Sequence, residues 1–296
     1  MNNKPFTGIM PAIFSVYDEN LCVKKDTVKK LVDFDLANGV TGFYVGGNSG
    51  ECTILPAKVR KDMLTATMEA NAGRGKIMAH IGAGHLDETL DLLRDANDKG
   101  ADAVASLPPS LTRYYNIEET IEYYKILAGE SKVPVYAYVT PVLNGNLVDF
   151  SKEVLKIDNV AGLKISIPDY FMFGKVTAID EKANILNGPD ETLICGLIEG
   201  ADGAIGTSYN MCPALAVSIY NAFNAGDFAK AKELQRKLNS VIDIPLGKSL
   251  AHWKAVMTCM GFDMGYTLAP QKMPTAEEIA ILKDKLAKTG VIEVIW

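Results

Sequence analysis

The sequence predicts an α/β protein built as a closed (β/α)8 TIM barrel with a C-terminal helical extension, and two observations support this prediction. Eight short apolar runs rich in β-branched residues alternate with longer amphipathic segments as far as about residue 223. Beyond that point the apolar runs stop and only helical patterns follow. Eight strands that each lead into a helix fit a closed barrel better than an open sheet.

The predicted elements divide the chain into a barrel over residues 1–223 and a three-helix extension over 224–296. The predicted strands cover residues 7–16, 41–46, 76–82, 101–107, 134–140, 161–167, 184–188 and 202–207. Helical segments lie between them, and the one over 26–36 ends before Asn38 and Gly39, a typical helix stop. The extension helices are expected at roughly 226–243, 247–261 and 275–288. No Gly/Ser-rich linker or charge block separates the extension, so we expect it to pack on the barrel.

The composition describes a globular chain and disfavours several kinds of partner. Of 296 residues, 48% are hydrophobic and 22% charged, so the chain can bury a large core. The 30 Lys and Arg against 36 Asp and Glu give a net charge of −6, which disfavours nucleic acid or an anionic membrane as partner. No apolar run reaches the roughly 18 residues of a membrane span, and no signal peptide is recognisable. We expect a cytoplasmic protein that binds a small molecule.

Neither the cysteines nor the histidines form a metal-ligand pattern. The five cysteines are scattered, odd in number and without a C-x-x-C pair, which predicts reduced thiols. Of the three histidines, His80 follows an apolar run and is expected to be a satisfied core residue. We therefore predict no metal site.

The sixth predicted strand carries polar side chains on one face only. Its odd positions, from Ala161 onward, are apolar and suit the face that packs on the helices, whereas Lys164 and Ser166 occupy even positions. This alternation points Lys164 and Ser166 into the barrel, toward the end where active sites of this architecture lie. Burial favours the neutral amine, the form that attacks a carbonyl to give a Schiff base. The alternative is an outward lysine whose ammonium reaches solvent at the strand end.

The fifth predicted strand repeats this alternation and places tyrosines on the inner face. Its odd positions are apolar, and Tyr136 and Tyr138 lie on the other face. Because neighbouring parallel strands lie about 4.8 Å apart, the phenol of Tyr138 can reach the amine of Lys164 and shuttle protons. Tyr136 lies deeper, so Tyr138 is the candidate. The alternative is a core aromatic whose hydroxyl bonds to the backbone.

A glycine-rich turn, Gly46-Gly47-Asn48-Ser49-Gly50-Glu51, closes the second predicted strand. Glycines let a backbone approach a ligand, and a turn at a helix start presents N–H groups and a hydroxyl to an anion. The turn matches neither the phosphate loop nor the dinucleotide fingerprint, so a carboxylate is a better ligand than a nucleotide. An ordinary strand-to-helix turn is the alternative.

Three motifs together resemble the pyruvate-dependent class I aldolases of the N-acetylneuraminate lyase and dihydrodipicolinate synthase family. The turn over 46–51 matches the family's G-G-x-S/T-G-E, residues 138–141 match its Y-N-x-P, and residues 162–164 contain its strand-six lysine. Their order and spacing agree along nearly the whole chain. The resemblance implies a (β/α)8 barrel with a helical cap, Lys164 as the Schiff-base lysine, Tyr138 as the second catalytic residue, no metal or organic cofactor, and a homotetramer.

Further segments resemble the lyase branch and imply the residues that bind substrate. In residues 187–191 and 203–210, the resemblance places Gly188, Asp190, Glu191 and Thr207 against the hydroxylated tail of a sugar acid. Paired carboxylates suit this role because they accept hydrogen bonds from hydroxyl groups. Acidic residues are also favourable at a helix start, which is the alternative. The predicted substrate-binding residues are Asn48, Ser49, Ser166, Gly188, Asp190, Glu191 and Thr207.

The sequence also departs from the family pattern. Val139 and Thr140 follow Tyr138, which predicts a different polar lining beside the Schiff base. The synthase branch has an arginine shortly after Y-N-x-P, and none follows Pro141 here, which disfavours the synthase. Residues 108–115 match the family's aromatic stretch only loosely, so they do not identify which tyrosine joins Tyr138, and Arg113 is expected to be a solvated loop residue.

The expected function is reversible cleavage of a 2-keto-3-deoxy sugar acid, with N-acetylneuraminate as the expected substrate and pyruvate and N-acetylmannosamine as products. One alternative is an aldolase or dehydratase for another such acid, for example 2-keto-3-deoxygluconate. The other is a non-catalytic barrel that binds a keto acid for regulation. The sequence does not determine the stereochemistry of the aldehyde half, the direction of flux or the subunit count.

Overall fold

Eight parallel strands close into a barrel in chain order, and the last strand pairs with the first. The structure, a computed structural model, describes residues 4–108, 115–141, 147–245 and 247–292. The strands are β1 (Gly8–Ile13), β2 (Gly42–Val45), β3 (Lys76–His80), β4 (Ala103–Ser106), β5 (Val135–Val139), β6 (Val160–Ile165), β7 (Asn184–Asn187) and β8 (Gly203–Gly206). The predicted (β/α)8 barrel is confirmed.

A helix follows each strand and covers the outside of the barrel. These helices are α1 (Lys25–Ala37), α2 (Ala57–Asn71), α3 (Leu86–Lys99), α4 (Ile117–Glu130), α5 (Leu147–Val154), α6 (Tyr170–Thr177), α7 (Leu193–Ile198) and α8 (Pro213–Asn224). Local signals set several of their ends. Asn116 forms a capping box with Glu119 at the start of α4, and Gly100 ends α3 in the left-handed conformation.

Three more helices follow the barrel, as the periodicity predicts. They are α9 (Phe228–Ile242), α10 (Leu250–Cys259) and α11 (Ala276–Thr289). Helix α9 packs on α8, and Tyr17, after β1, pairs with Gly265 between α10 and α11. The extension therefore packs on the barrel both through α9 and through the segment between α10 and α11. None of the helices in the described part of the chain has both the length and the apolarity that crossing a membrane requires.

Alternating side chains form two apolar layers, one inside the barrel and one between the strands and the helices. On β2, Tyr44 belongs to the inner layer, and Phe43 and Val45 to the outer. The strands keep this alternation because successive side chains point to opposite faces. The carboxyl ends of the strands therefore bring inward side chains together at one mouth of the barrel.

The start of β6 departs from the predicted alternation. Ala161 packs on the inner layer and Val160 on the outer, so the prediction that Ala161 faces the helices is wrong. The register with β5 shifts there by one residue, which is typical of a β-bulge. From Gly162 onward the predicted alternation holds, and Lys164 points inward as expected.

Candidate active site

Lys164 lies near the carboxyl end of β6, in the mouth of the barrel. It is the register partner of Tyr138 on β5, and its side chain is 5% exposed. Its Nζ atom lies 4.3 Å from the centre of the Tyr138 ring and 4.5 Å from that of the Tyr44 ring. Among the described residues, Lys164 makes no ion pair. The predicted amine is therefore enclosed by two phenol rings.

The hydroxyl of Tyr138 is held by Ser166, the second polar residue predicted on this face. Ser166 Oγ donates a hydrogen bond of 3.1 Å to Tyr138 Oη. Gly188, directly after β7, leaves space for that hydroxyl, because a Cβ atom there would lie 1.8 Å from Ser166 Oγ. These three predicted residues thus form one continuous part of the site.

Tyr44 on β2 is a site residue that the sequence analysis missed. Its ring contacts Lys164, and its hydroxyl shares a 2.9 Å hydrogen bond with His80 Nδ1. Burial lowers the pKa of His80 well below its usual value, and the charges of Arg60 and Lys164 act in the same direction. The imidazole is therefore neutral, and it fixes the orientation of the Tyr44 ring without adding a second positive charge.

The glycine-rich turn packs directly on the Tyr44 ring. A Cβ atom at Gly47 would lie 2.3 Å from a ring carbon of Tyr44, so any side chain there would displace the ring. The alternation of β2 was the signal that could have identified Tyr44, because the neighbouring Phe43 and Val45 are both apolar. The turn and Lys164 are thus connected through one aromatic ring.

Ser49 and Thr207, both predicted to bind substrate, meet across the barrel mouth. Their hydroxyl oxygens are 2.6 Å apart and share a hydrogen bond, which joins the turn after β2 to the end of β8. The side chain of Asn48 is exposed, and its Oδ1 accepts a hydrogen bond from Cys52 Sγ at 3.3 Å. The structure therefore brings Ser49 and Thr207 together, whereas Asn48 supports the turn itself.

Asp190 and Glu191 begin a short 3-10 helix after β7, but their environments differ. Asp190 is buried, and its Oδ2 accepts a hydrogen bond from the Ser208 backbone N–H at 2.6 Å. Burial raises the pKa of Asp190 to about 6, although the hydrogen bonds from Ser208 oppose that shift. The side chain of Glu191 is exposed.

A cavity of about 300 Å³ begins at the hydroxyl of Ser166, the residue that holds Tyr138. Its lining residues are Ser166, Ile167, Pro168, Tyr170, Pro189, Glu191 and Thr192. Tyr170 Oη is hydrogen-bonded to the side chain and, at 3.2 Å, to the carbonyl oxygen of Thr192. The cavity is large enough for a short polar chain and is bordered by one of the two predicted carboxylates.

Helix α9 of the extension supports the loop that carries both carboxylates. Gln235 Nε2 donates to the carbonyl oxygen of Asp190 at 3.0 Å, and Asn239 Nδ2 donates to that of Glu191 at 3.0 Å. The sequence analysis assigned no role to these two amides. They orient the backbone of the loop, so the extension determines where the side chains of Asp190 and Glu191 point.

Of the two residues that depart from the family's motif after Tyr138, Val139 does not line the site. Val139 is buried in the outer apolar layer, between the barrel and the helices, because it alternates with the inward Tyr138. The next residue, Thr140, has the inward parity, and its hydroxyl is buried without a hydrogen-bond partner in the described part of the chain. Thr140 is therefore the departure that lies at the site.

Some sequence predictions lie outside the described residues or are not tested by the structure. Arg113 and Tyr114 lie outside them, as do residues 142–145, so the second tyrosine is not identified. Within the described ranges, no group of three or more His, Cys, Asp or Glu side chains is arranged to hold a metal ion. The absence of a metal and of an organic cofactor stays a prediction.

Comparison with known sequences identifies the family. The model of the dihydrodipicolinate synthetase family matches residues 5–289. The chain belongs to this family. An N-acetylneuraminate lyase of Rhizobium meliloti (strain 1021) is 30% identical over 284 residues, which cover 95% of this chain and 94% of that protein. N-acetylneuraminate lyase 2 of Escherichia coli O6:H1 is 31% identical over 261 residues, covering 86% and 85%.

Solved structures agree with this assignment. The N-acetylneuraminate lyase of Mycoplasma synoviae has a TM-score of 0.88 and 30% identity, and the match covers 96% of this chain and 98% of that one. A catalytic lysine mutant of Ruminococcus gnavus sialic acid aldolase has a TM-score of 0.88 and 25% identity, covering 96% and 97%. The predicted resemblance to the lyase branch is confirmed, and so is the prediction of a carbon–carbon lyase.

Proposed function

We propose that the chain is a Schiff-base aldolase that cleaves a 2-keto-3-deoxy sugar acid, with N-acetylneuraminate as the expected substrate, reversibly to pyruvate and N-acetylmannosamine. The observation that carries this proposal is the Lys164 amine, which lies in the barrel mouth 4.3 Å from the centre of the Tyr138 ring. The names of the lyase relatives support the choice of substrate. The proposal requires no metal ion or organic cofactor.

Schiff-base formation uses the amine, one phenol and the turn. The keto acid's carboxylate binds at Ser49 and the N–H groups of the turn, which places the C2 carbonyl at Lys164 Nζ. The neutral amine attacks C2, and its proton moves to the former carbonyl oxygen. Tyr138 then gives a proton to that oxygen, water leaves, and an iminium remains on Lys164.

In carbon–carbon cleavage, Tyr138 acts as a base instead of as an acid. The Tyr138 phenolate takes the proton of the C4 hydroxyl, the electron pair of the O–H bond forms the π bond of the aldehyde carbonyl, and the C3–C4 bond breaks. The electrons of that bond move into the iminium and give an enamine. Protonation at C3 and addition of water then release pyruvate and the free amine. Ser166 holds the phenol in place through its 3.1 Å hydrogen bond.

The cavity beside Tyr138 suits the remainder of the sugar acid. It begins at Ser166 and reaches the exposed Glu191, and Asp190 lies in the same loop. Carboxylates accept hydrogen bonds from the hydroxyl groups of a polyol, and the loop offers two of them. A keto acid with a long hydroxylated tail is therefore a better substrate than one with a short tail.

Borohydride reduction in the presence of pyruvate tests the Schiff base directly. We expect a lactyl-sized mass increase on the peptide that contains Lys164, because the reduced iminium is a stable secondary amine. The matched control is Lys288→Met, which removes an exposed lysine on α11 and leaves the adduct on Lys164. No adduct, or an adduct on another lysine, would contradict the assignment.

A panel of keto acids distinguishes the proposed substrate from its alternatives. We expect pyruvate release from N-acetylneuraminate at a higher kcat/KM than from 2-keto-3-deoxygluconate. The reverse order would assign the chain to the other aldolase. Binding of keto acids without any turnover would indicate the regulatory barrel. The chain also lacks the arginine after Pro141 that the synthase branch uses.

We also propose that the protein is a cytoplasmic homotetramer. Two large apolar side chains on neighbouring helices support an interface between subunits, since Phe171 on α6 is 72% exposed and Ile198 on α7 is 61% exposed. Sedimentation equilibrium tests the subunit number. We expect four subunits, and a monomer at micromolar concentration would contradict the proposal.

A further inference from the structure

We propose that Lys254, on α10, is a positioning residue for the carboxylate-binding turn over residues 46–51, and that it acts through Glu51 and Tyr17. The inference rests on the proposed function, in which this turn holds the carboxylate of the keto acid. It assigns the C-terminal extension a role in substrate binding. The sequence analysis found no function for Lys254, Glu51 or Tyr17.

Glu51 ends the turn in a backbone conformation that residues other than glycine seldom adopt. Its φ angle is +61°, in the left-handed region. Its side chain is buried, and Oε1 accepts hydrogen bonds from Tyr17 Oη at 2.9 Å and from Gln271 Nε2 at 3.5 Å. A strained backbone persists only where its surroundings hold it. The contacts of the Glu51 side chain therefore fix the turn two residues after Ser49.

Lys254 provides the positive charge that this buried carboxylate needs. The side chain is 2% exposed, and its Nζ lies 3.5 Å from Glu51 Oε2. Nζ also donates to the carbonyl oxygen of Tyr266 at 2.6 Å and lies 4.5 Å from the centre of the Tyr17 ring. Burial raises the pKa of Glu51 and lowers the pKa of Lys254, and the opposite charge opposes each shift. Removing either partner leaves the other uncompensated.

Tyr17 provides a second connection from the extension to Glu51. Its carbonyl oxygen accepts a hydrogen bond from the Tyr266 N–H at 2.7 Å, and its hydroxyl oxygen accepts one from the Leu268 N–H at 3.2 Å. The segment between α10 and α11 is thus bound to Tyr17, which donates to Glu51. Two separate connections to the extension, one through the Lys254 ammonium and one through the Tyr17 phenol, therefore meet at the Glu51 carboxylate.

Stability alone does not account for this arrangement. Apolar residues of similar volume commonly stabilise a buried site at least as well as an ion pair does. Apolar residues cannot donate hydrogen bonds to the Glu51 carboxylate, so they cannot set the orientation of the turn that carries it. The turn orientation matters for the site because Ser49 shares a hydrogen bond with Thr207, and Gly47 packs on Tyr44.

The test measures the pyruvate concentration that gives half-maximal borohydride trapping. The variants are Lys254→Met and Tyr17→Phe, and the control is Lys288→Met, which removes an exposed ion pair with Asp284 on α11. We expect the half-saturating concentration to rise about tenfold in Lys254→Met, which removes the positive charge at Glu51, and about threefold in Tyr17→Phe, which removes the hydrogen bonds of one hydroxyl. The control stays at the wild-type concentration, and kcat for cleavage changes less than KM in both variants.

The outcomes separate a positioning role from a structural one. Partial unfolding raises the half-saturating concentration only by the reciprocal of the folded fraction, which circular dichroism measures separately, so a tenfold rise in a variant that is at least about nine-tenths folded reports positioning. Values within about twofold of wild type in both variants overturn the proposal, and so does a loss confined to kcat. If Lys254→Met does not fold, Tyr17→Phe decides the question, because it keeps the ring and the ion pair. A wild-type chain that no pyruvate concentration traps overturns the proposed function, and this proposal with it.

Discussion

Two buried lysines, Lys164 in the barrel and Lys254 in the extension, have similar exposure but different partners. Their side chains are 5% and 2% exposed, and each amine lies over a tyrosine ring at 4.3–4.5 Å. Lys254 also has a carboxylate 3.5 Å away, whereas Lys164 makes no ion pair with any described residue. The nearby carboxylate is therefore the feature that distinguishes the surroundings of Lys254 from those of Lys164.

The comparison shows that burial by itself does not make a lysine a nucleophile. Lys254 directs its N–H bonds at Glu51 and Tyr266, and the Glu51 carboxylate opposes the lowering of the Lys254 pKa by burial. Between two phenol rings, Lys164 has its lone pair available to a carbonyl carbon once a proton has left. Three predictions test this difference, in order of decreasing expected effect, and a fourth, with the smallest effect, concerns Asp190.

Replacing Lys164 removes the reaction and leaves the fold. We expect Lys164→Ala to lose essentially all turnover, because no other described amine lies at the centre of the site. Pyruvate release from the sugar acid measures the loss, and circular dichroism measures the fold. Normal release from this variant would show that the two lysines do not differ in the way described.

The phenols beside the two lysines are expected to affect different kinetic constants. Tyr138→Phe removes a proton carrier, so we expect kcat to fall about 10²–10⁴-fold while the protein stays folded. Tyr17→Phe removes the hydrogen bonds that the Tyr17 hydroxyl makes with Glu51 and Leu268, and we expect it to act on KM. Steady-state kinetics on both variants makes the comparison, and equal effects on kcat would refute it.

The two lysines are also expected to affect stability differently. Lys254→Met leaves the Glu51 carboxylate buried without its cation, so we expect a loss of about 3–5 kcal/mol in the free energy of unfolding. Lys164→Met leaves no charge unpaired, and we expect a change within about 1 kcal/mol. Urea denaturation measures both.

A double variant provides the control for this stability effect. Combining Lys254→Met with Glu51→Gln removes both charges, so part of the lost stability should return. Strictly additive losses would mean that Lys254 and Glu51 do not interact. Equal losses for Lys164→Met and Lys254→Met would remove the distinction between the two sites.

The smallest expected effect is a pH dependence that comes from Asp190. Since burial raises its pKa to about 6, the carboxylate is charged above pH 6 and protonated below it. Between pH 7 and pH 5 the charged fraction falls about tenfold, so we expect KM for the sugar acid to rise by a similar factor. Half-saturation by pyruvate, which lacks the hydroxylated tail, should not follow this profile.

Asp190→Asn is the control for this profile. The KM of this variant for the sugar acid should be high at pH 7, and it should not change further as the pH falls through 6. The stability of the fold and the binding of the sugar acid are expected to change in opposite directions with pH. Protonation of Asp190 stabilises the fold, because the native state binds the proton more tightly than the unfolded chain does, but it weakens binding. The contribution of Asp190 to stability is complete below its unfolded pKa near 4 and decreases as the pH rises through about 6. A KM step that persists in Asp190→Asn would assign the titration to another group.

The sequence by itself determined the barrel and the position of the reactive amine. Side chains of a strand alternate between two faces, so a run of apolar odd positions was enough to point Lys164, Ser166 and Tyr138 inward. The same local rule places Val139 on the helix-facing side. Applying the rule to β2 would have identified Tyr44. Such predictions succeed because the periodicity is a property of neighbouring residues.

Only the tertiary structure decided how the site is held. Glu51 and Lys254 are 203 residues apart, and Asp190 and Gln235 are 45 residues apart, so no local pattern relates them. Their contacts exist because the extension packs on the closed barrel and buries charges that must then find partners. The bulge that turns Ala161 inward likewise depends on the register with β5, which is a pairing between strands and not a property of either one.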